Sequence, residues 1–323
     1  MPDDDGVSSA LNMPLGPGGE FDLVRTMLAR WGALAHGVGD DAAVLAVPEG
    51  ERLVVSTDTS VEQVHFRREW LSAEEIGYRA TMAALSDVAA MGATPLGFLV
   101  ALSLPARWIP AVPALADGIG DAARLAETTI LGGDVTQGEA LGITVTVLGS
   151  SARPVPRNGA RPGDRLFVTG VLGGPAAALR DLQGGRTPPG TLRERFARPR
   201  ARLREARWLA AHGARAMIDV SDGLASELRH LATASNVALS LDVARVPVMP
   251  GCTLEDAISG GEEYEIVAAL PGAIDPSAFV RAFGVSLSEI GIVDAAGIPS
   301  VTAYRTVREA RVDLGTGHDH FRS

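Results

Sequence analysis

The first chemical signal in this sequence is where its aspartates stand. Asp40 and Asp41 lie in GVGDDAAVL, Asp58 in VVSTDTS, Asp134 in LGGDVTQG, and Asp219 and Asp222 in MIDVSDGL. Each reads as the end of a strand or the start of a glycine turn, where a scaffold fixes a loop while its polar groups reach a ligand. Taken singly, Asp beside Gly is ordinary turn chemistry and Asp ahead of a helix is an N-cap. Their recurrence along the chain points to a site. Asp87 is the sharpest of them. In a helix expected over 73–91, Ile76, Ala80, Ala83 and Asp87 follow i, i+4, i+7, i+11, which sets the carboxylate on a face of small apolar side chains. An unpaired carboxylate buried there is costly or shifts its pKa. A divalent cation is the natural partner, and a salt bridge to an arginine from the other domain is the alternative.

Oxygen donors without a cysteine cluster or paired histidines select a hard ion, Mg²⁺ or Mn²⁺, over zinc. Mg²⁺ usually takes one or two protein carboxylates and completes its shell with water and phosphate. Converging aspartates would therefore hold several ions and leave positions open for phosphate chemistry. The turns Gly132-Gly133-Asp134 and Gly170-Val171-Leu172-Gly173-Gly174 could bring backbone N–H groups close to phosphate oxygens. Alone, each marks only a tight turn. Arg157 could supply a fixed cation.

Strands and helices must interleave to position these groups. Helical spacing covers 21–31, 73–91 and 111–126, with strand-like runs at 42–47, 53–57, 96–104, 129–131 and 142–148 between them. The stretch 151–164 holds three prolines, two glycines and three arginines without periodicity and is the expected boundary. Beyond it the alternation resumes, with strands at 165–169, entering Asp219, and near 237–243, 264–270 and 288–293. Helices are expected at 175–182, 199–211 and 223–234. Two α/β domains over 20–150 and 151–323 follow, after a disordered leader over 1–19.

Composition narrows the function. The 323 residues hold 29 basic and 39 acidic side chains, a formal charge of −10, which disfavours nucleic acid and anionic lipid as partners. Every basic residue is an arginine, so Schiff-base chemistry and a Walker A lysine are excluded. Cys252 is the single cysteine, which rules out an intrachain disulfide and a Cys-based zinc cluster. The acidic, Gly/Pro-rich start lacks the basic residues and apolar run of a signal peptide, so a cytoplasmic location is expected. Residues 88–106 carry no charge, but Pro95 and Pro105 break them, and they read as buried core and not as a membrane span.

GVGDDAAVL, STDTSVEQVHF, ALSDVAAMGATP, GGDVTQG, RNGARPGD, DVSDGL and SGGEEYEI occur in this order from residue 37 onward. Together they resemble the thiamine-monophosphate kinase family, part of the ATP-binding superfamily of aminoimidazole ribonucleotide synthetase and selenophosphate synthetase. The resemblance implies an N-terminal α/β domain whose mixed sheet forms a barrel across a homodimer, and a C-terminal α/β sandwich. It also implies ATP with several Mg²⁺ ions, and direct in-line transfer to thiamine monophosphate with no dedicated catalytic base. By their places in the motifs, Asp41, Ser56, Thr57, Asp58, Asp87, Asp134, Asp219 and Asp222 match metal positions. Gly133, Asp134, Arg157 and Ser221 match nucleotide contacts, and His65, Glu262 and Phe321 match contacts to thiamine monophosphate. The chain departs from the family at Val135 and Gln137, which replace a threonine and an arginine, and at Glu263, where Asp is usual. The hydrogenase maturation branch of the superfamily would call for a C-terminal cysteine, and selenophosphate synthetase for a reactive Cys or Sec and a lysine. An aminoimidazole ribonucleotide synthetase-like enzyme, or a binding module without turnover, remains as the alternative.

Overall fold

The computed structural model describes residues 12–272, 274–304 and 311–312. It divides into two compact units, Met1–Ala84 with Pro95–Ser150, and Leu85–Thr94 with Ser151–Ser323.

In the first unit, α1 (Gly19–Trp31) and β1 (Arg52–Val61) precede α2 (Ala73–Ala90), whose last turns belong to the second unit. Then come β2 (Thr94–Leu104), α3 (Val112–Leu125), β3 (Ile130–Gln137) and β4 (Gly142–Ser151). The sheet order is β1-β4-β2-β3, with β2 and β3 parallel. Thr57 Oγ1 bonds Thr146 Oγ1 at 3.1 Å and Thr59 Oγ1 bonds Thr144 Oγ1 at 2.9 Å, so β1 and β4 run antiparallel. This sheet is mixed and open within the chain, with β1 and β3 as its edges. Its inner face is driven by burial: Ile143, Val145 and Val147 of β4 are fully buried while Thr144 and Thr146 alternate outward.

The second unit adds β5 (Asp164–Thr169), α4 (Gly174–Gln183), α5 (Gly190–Ala197), α6 (Leu203–Ala211), β6 (Ala216–Asp219), α7 (Leu224–Ser235) and β7 (Val237–Asp242). It ends with α8 (Leu254–Ser259), β8 (Ile266–Pro271), α9 (Pro276–Phe283), β9 (Leu287–Ala296), β10 (Ser300–Tyr304) and β11 (Arg311–Val312). Its sheet runs β11-β10-β7-β9-β5-β8-β6 and is also mixed, β7 and β10 being parallel and the flanking pairs antiparallel. Leu224, Leu228 and Leu231, spaced along one face of α7, pack into a core with Ile218, Val267, Leu239 and Val293 from the strands. Among the described residues, no helix is long and apolar enough to cross a membrane.

Several expectations are corrected. Residues 42–47 form no strand, because nothing pairs with them and Val44 stays fully exposed. Asp58 and Gly132-Gly133-Asp134 lie inside β1 and β3, and not at strand ends or in a turn. Gly133 can sit in a strand because its φ of 156° is open to glycine, and an added Cβ there would strike the Val100 backbone of β2. The face assigned to α2 is not exclusive, since every residue from Ile76 to Ala90 is buried except Asp87.

Candidate active site

In the second unit, β6 is buried along its length and delivers Asp219 at its end. Ser86 Oγ donates to Asp219 Oδ2 at 2.6 Å. Burial, followed by the charge of Asp87, pushes the Asp219 carboxyl up to about 7, while Arg157 and the Ser86 hydroxyl oppose the rise. The loop from Val220 to Gly223 then leads into α7. Glu227, buried in the first turn of that helix, accepts from the Asp222 N–H at 3.0 Å and from Ser221 Oγ at 3.3 Å. An acid in this place also suits the positive end of the helix.

The SGGEEYEI segment crosses the same loop. Glu262 N–H donates to the Ser221 carbonyl at 2.6 Å, and the N–H groups of Glu263 and Tyr264 both donate to the Val220 carbonyl. Gly261 approaches so closely that a Cβ would collide with the Ser221 carbonyl oxygen. Glu262 and Tyr264 hold φ values of 62° and 53°, strained conformations of order 1–3 kcal/mol each that cluster at working sites. The second unit thus brings together Asp87, Asp219, Ser221, Asp222, Glu262 and Arg157.

Beneath this loop runs a charge network that the sequence did not announce. Glu265 is fully buried and accepts from Arg202 Nε at 2.7 Å, Arg202 Nη2 at 2.6 Å, Arg195 Nη2 at 3.0 Å and Thr169 Oγ1 at 2.6 Å. Burial alone would raise its pKa, but the two guanidinium groups and the threonine hold it below the usual carboxylate range. Glu263 shares Arg195 at 3.1 Å and takes the Gly173 N–H; burial nevertheless lifts it to about 7. The glycine turn over 170–174 therefore has its helix-entry amide engaged by an internal carboxylate, which answers the phosphate-binding reading of that turn.

In the first unit, strand alternation sets Ser56 and Asp58 on the half-buried face of β1 and Thr57 on the exposed face beside Thr146. Gly133 and Asp134 lie on β3, the opposite edge of the sheet, opposite Val100 and Ala101 of β2. Asp41 lies in an exposed bend whose N–H donates to Asp40 Oδ1 at 2.9 Å. His65 closes the turn after β1, its Nδ1 accepting from the Val61 N–H at 3.1 Å. Phe321 lies outside the described residues.

Among the described residues, no three His, Cys, Asp or Glu side chains form a ready-made metal cage. Six or seven aspartates do not converge on one point within either unit. At Asp219, burial and then the charge of Asp87 raise the cost of ionisation. A buried carboxyl lifted in this way by a like charge suits a cation and repels an anion lacking one.

The chain matches two family patterns: AIR synthase related protein, N-terminal domain, over residues 39–151, and AIR synthase related protein, C-terminal domain, over 161–303. Thiamine-monophosphate kinase of Salmonella typhimurium is 34% identical over 326 residues, which cover 94% of this chain and 98% of that protein. The crystal structure of thiamine-monophosphate kinase from Stenotrophomonas maltophilia K279a matches with a TM-score of 0.77 at 32% identity, over 90% of this chain and 98% of that one. AaThiL complexed with AMPPCP and TMP matches at 0.72 and 28% identity, over 94% and 99%. Sequence kinship on this scale, along nearly the whole length, means that the chain belongs to the thiamine-monophosphate kinase family.

Proposed function

We propose that the chain transfers the γ-phosphoryl group of ATP directly to the phosphate of thiamine monophosphate, giving ADP and thiamine diphosphate. The observation that carries this is the joining of the DVSDGL and SGGEEYEI loops by the Glu262–Ser221 hydrogen bond, in a chain whose relatives are thiamine-monophosphate kinases. The ligands of AaThiL, AMPPCP and TMP, correspond to a non-hydrolysable ATP analogue and the acceptor.

The acceptor is a phosphate oxygen, largely ionised near pH 7, so the chain needs no dedicated base. The barrier is repulsion between two anions, and Mg²⁺ when bound supplies the charge that offsets it. Asp41, Ser56, Thr57, Asp58, Asp87, Asp134, Asp219 and Asp222 are the residues to hold such ions. A carboxylate pair such as Asp87 and Asp219 suffices for one, since Mg²⁺ draws its remaining ligands from water and phosphate. Ser86 fixes the Asp219 carboxylate, and Glu227 fixes Ser221 and Asp222. Gly133, Asp134, Arg157 and Ser221 are assigned to the nucleotide, and His65, Glu262 and Phe321 to thiamine monophosphate.

Leu53 and Val55 stand about half exposed on the outer face of β1, in line with Thr57 and Thr59. A second copy covering this face, closing the two open sheets into a barrel, accounts for apolar side chains left there. The chain works as a homodimer in the cytoplasm on this reading. The decisive assay follows ADP and thiamine diphosphate together with purified protein, ATP and MgCl₂. ADP release that depends on thiamine monophosphate supports the reading, and release indifferent to it overturns the reading.

A further inference from the structure

The turn that carries His65 is held from beneath by Glu62, a residue of the STDTSVEQVHF motif to which no role was attached. Glu62 is buried, at 8% exposure, and its Oε2 accepts from Arg107 Nη2 at 2.7 Å, Trp108 Nε1 at 3.1 Å and the Leu141 N–H at 3.1 Å. Its own N–H donates back to the Leu141 carbonyl at 2.9 Å. Burial works against this carboxylate, but the three donors outweigh it and keep it ionised below its ordinary range. Arg107 reaches onward to the Glu139 carbonyl, and the Arg68 guanidinium covers the Trp108 ring at 4.8 Å. One side chain thus ties the exit of β1 to the segment after β2 and to the entry of β4.

On that anchor the turn closes around His65. His65 N–H donates to the Val61 carbonyl at 2.9 Å, and the Val61 N–H returns a bond to His65 Nδ1 at 3.1 Å. Gln63, at φ 69°, donates to the Phe66 carbonyl at 2.8 Å. Because a backbone N–H occupies the Nδ1 lone pair, the proton of the neutral ring sits on Nε2. The neutral imidazole therefore carries its proton at Nε2, while Nδ1 is held by the Val61 N–H.

We infer, on the reading that His65 contacts the acceptor substrate, that Glu62 is a positioning residue for thiamine monophosphate. It holds the turn that places His65, without touching the substrate. Arg107 and Trp108 belong to the same device through their bonds to the Glu62 carboxylate. ATP affinity lies outside its reach.

The test is a double-mutant cycle on the full-length protein, read as KM for each substrate and as calorimetric Kd for thiamine monophosphate. Glu62→Ala raises KM and Kd for thiamine monophosphate about tenfold and leaves KM for ATP within about twofold. His65→Ala does the same, and the double variant adds nothing further, because both changes remove one interaction. Glu62→Gln, which keeps an acceptor for the Leu141 and Trp108 donors, recovers most of the loss and serves if Glu62→Ala does not fold. His65→Gln, which restores a donor near the Nε2 position, outperforms His65→Asn. If His65→Ala weakens the acceptor but Glu62→Ala does not, or if their effects add in full, the positioning role is overturned and the His65 contact stands. If His65→Ala leaves acceptor binding unchanged, the contact itself fails and takes this inference with it.

Discussion

Ser86 and Asp219, 133 residues apart in the chain, meet in a 2.6 Å hydrogen bond at the end of a buried strand, with Asp87 next in sequence to the serine. The carboxyl they surround titrates near 7 instead of its ordinary 3.8, because burial and then Asp87 disfavour its charge. A raised pKa in the folded state gives stability that is fully present below the ordinary value and is lost as pH climbs through about 7. The metal-free protein therefore weakens as pH rises across this window, with Glu263 contributing in the same direction. Mg²⁺ selects the ionised carboxylate, so its stabilising effect grows with pH. Thermal melts with and without MgCl₂ should show a larger gain in Tm at pH 8 than at pH 6. That difference should shrink in Asp219→Asn, and a gain that does not vary with pH in the unaltered protein would remove Asp219 from the ion-binding set.

Asp87 is the one residue of α2 from Ile76 to Ala90 that is not buried, so its replacement by an isosteric amide leaves the packing alone. Asp87→Asn should lower kcat by about a hundredfold or more, the scale of losing one preorganised electrostatic group at a reacting centre. It should also let Asp219 ionise at lower pH, shifting the Mg²⁺-dependent melt profile towards acid. Turnover within a few-fold of the parent would exclude Asp87 from the site.

The Glu265 network supports the strained SGGEEYEI segment from below. Arg202→Met removes two of the four bonds to a fully buried carboxylate and leaves it to Arg195 and Thr169. Breaking a buried pair in this way costs about 3–5 kcal/mol. Urea unfolding should show that loss as a lower midpoint with unchanged slope, and a cost under ~1 kcal/mol would mean that Arg195 alone satisfies Glu265.

Gly133 tests the β2–β3 pairing. A Cβ at this position meets the Val100 backbone, which no rotamer can relieve. Gly133→Ala should destabilise the first unit by roughly 2–3 kcal/mol, measured by chemical denaturation. Nucleotide affinity should fall with it, whereas Gly132→Ala, whose Cβ meets only the tip of the Leu99 side chain, should be milder in clash though strained in backbone.

Much of the fold was legible because burial writes itself into periodicity. The alternation of Ile143, Val145 and Val147 against Thr144 and Thr146 is β4 as it stands. Other elements also carry local signals in their sequence. Thr253 and Asp256 form a capping box opening α8, and Asp275 followed by Pro276 opens α9. Asp58 and Asp134 lie within strands and not at their ends, because a carboxylate on the half-buried or exposed face of a strand needs no turn beneath it. Glu62 and Glu227 could not be read from sequence at all. Their partners Arg107, Trp108 and Leu141 in one case, and the Asp222 amide and Ser221 hydroxyl in the other, are fixed only by the fold.

Glu263 gives the Gly170–Gly174 turn a second meaning. A buried carboxyl of the chain itself plugs the Gly173 amide at the mouth of α4, and burial, which lifts it to about 7, leaves it only partly charged near neutral pH. Efforts to reshape donor or acceptor preference have little to gain at that turn while the plug is in place. Glu263→Ala would unplug that amide and leave Arg195 to Glu265 and the Val171 carbonyl.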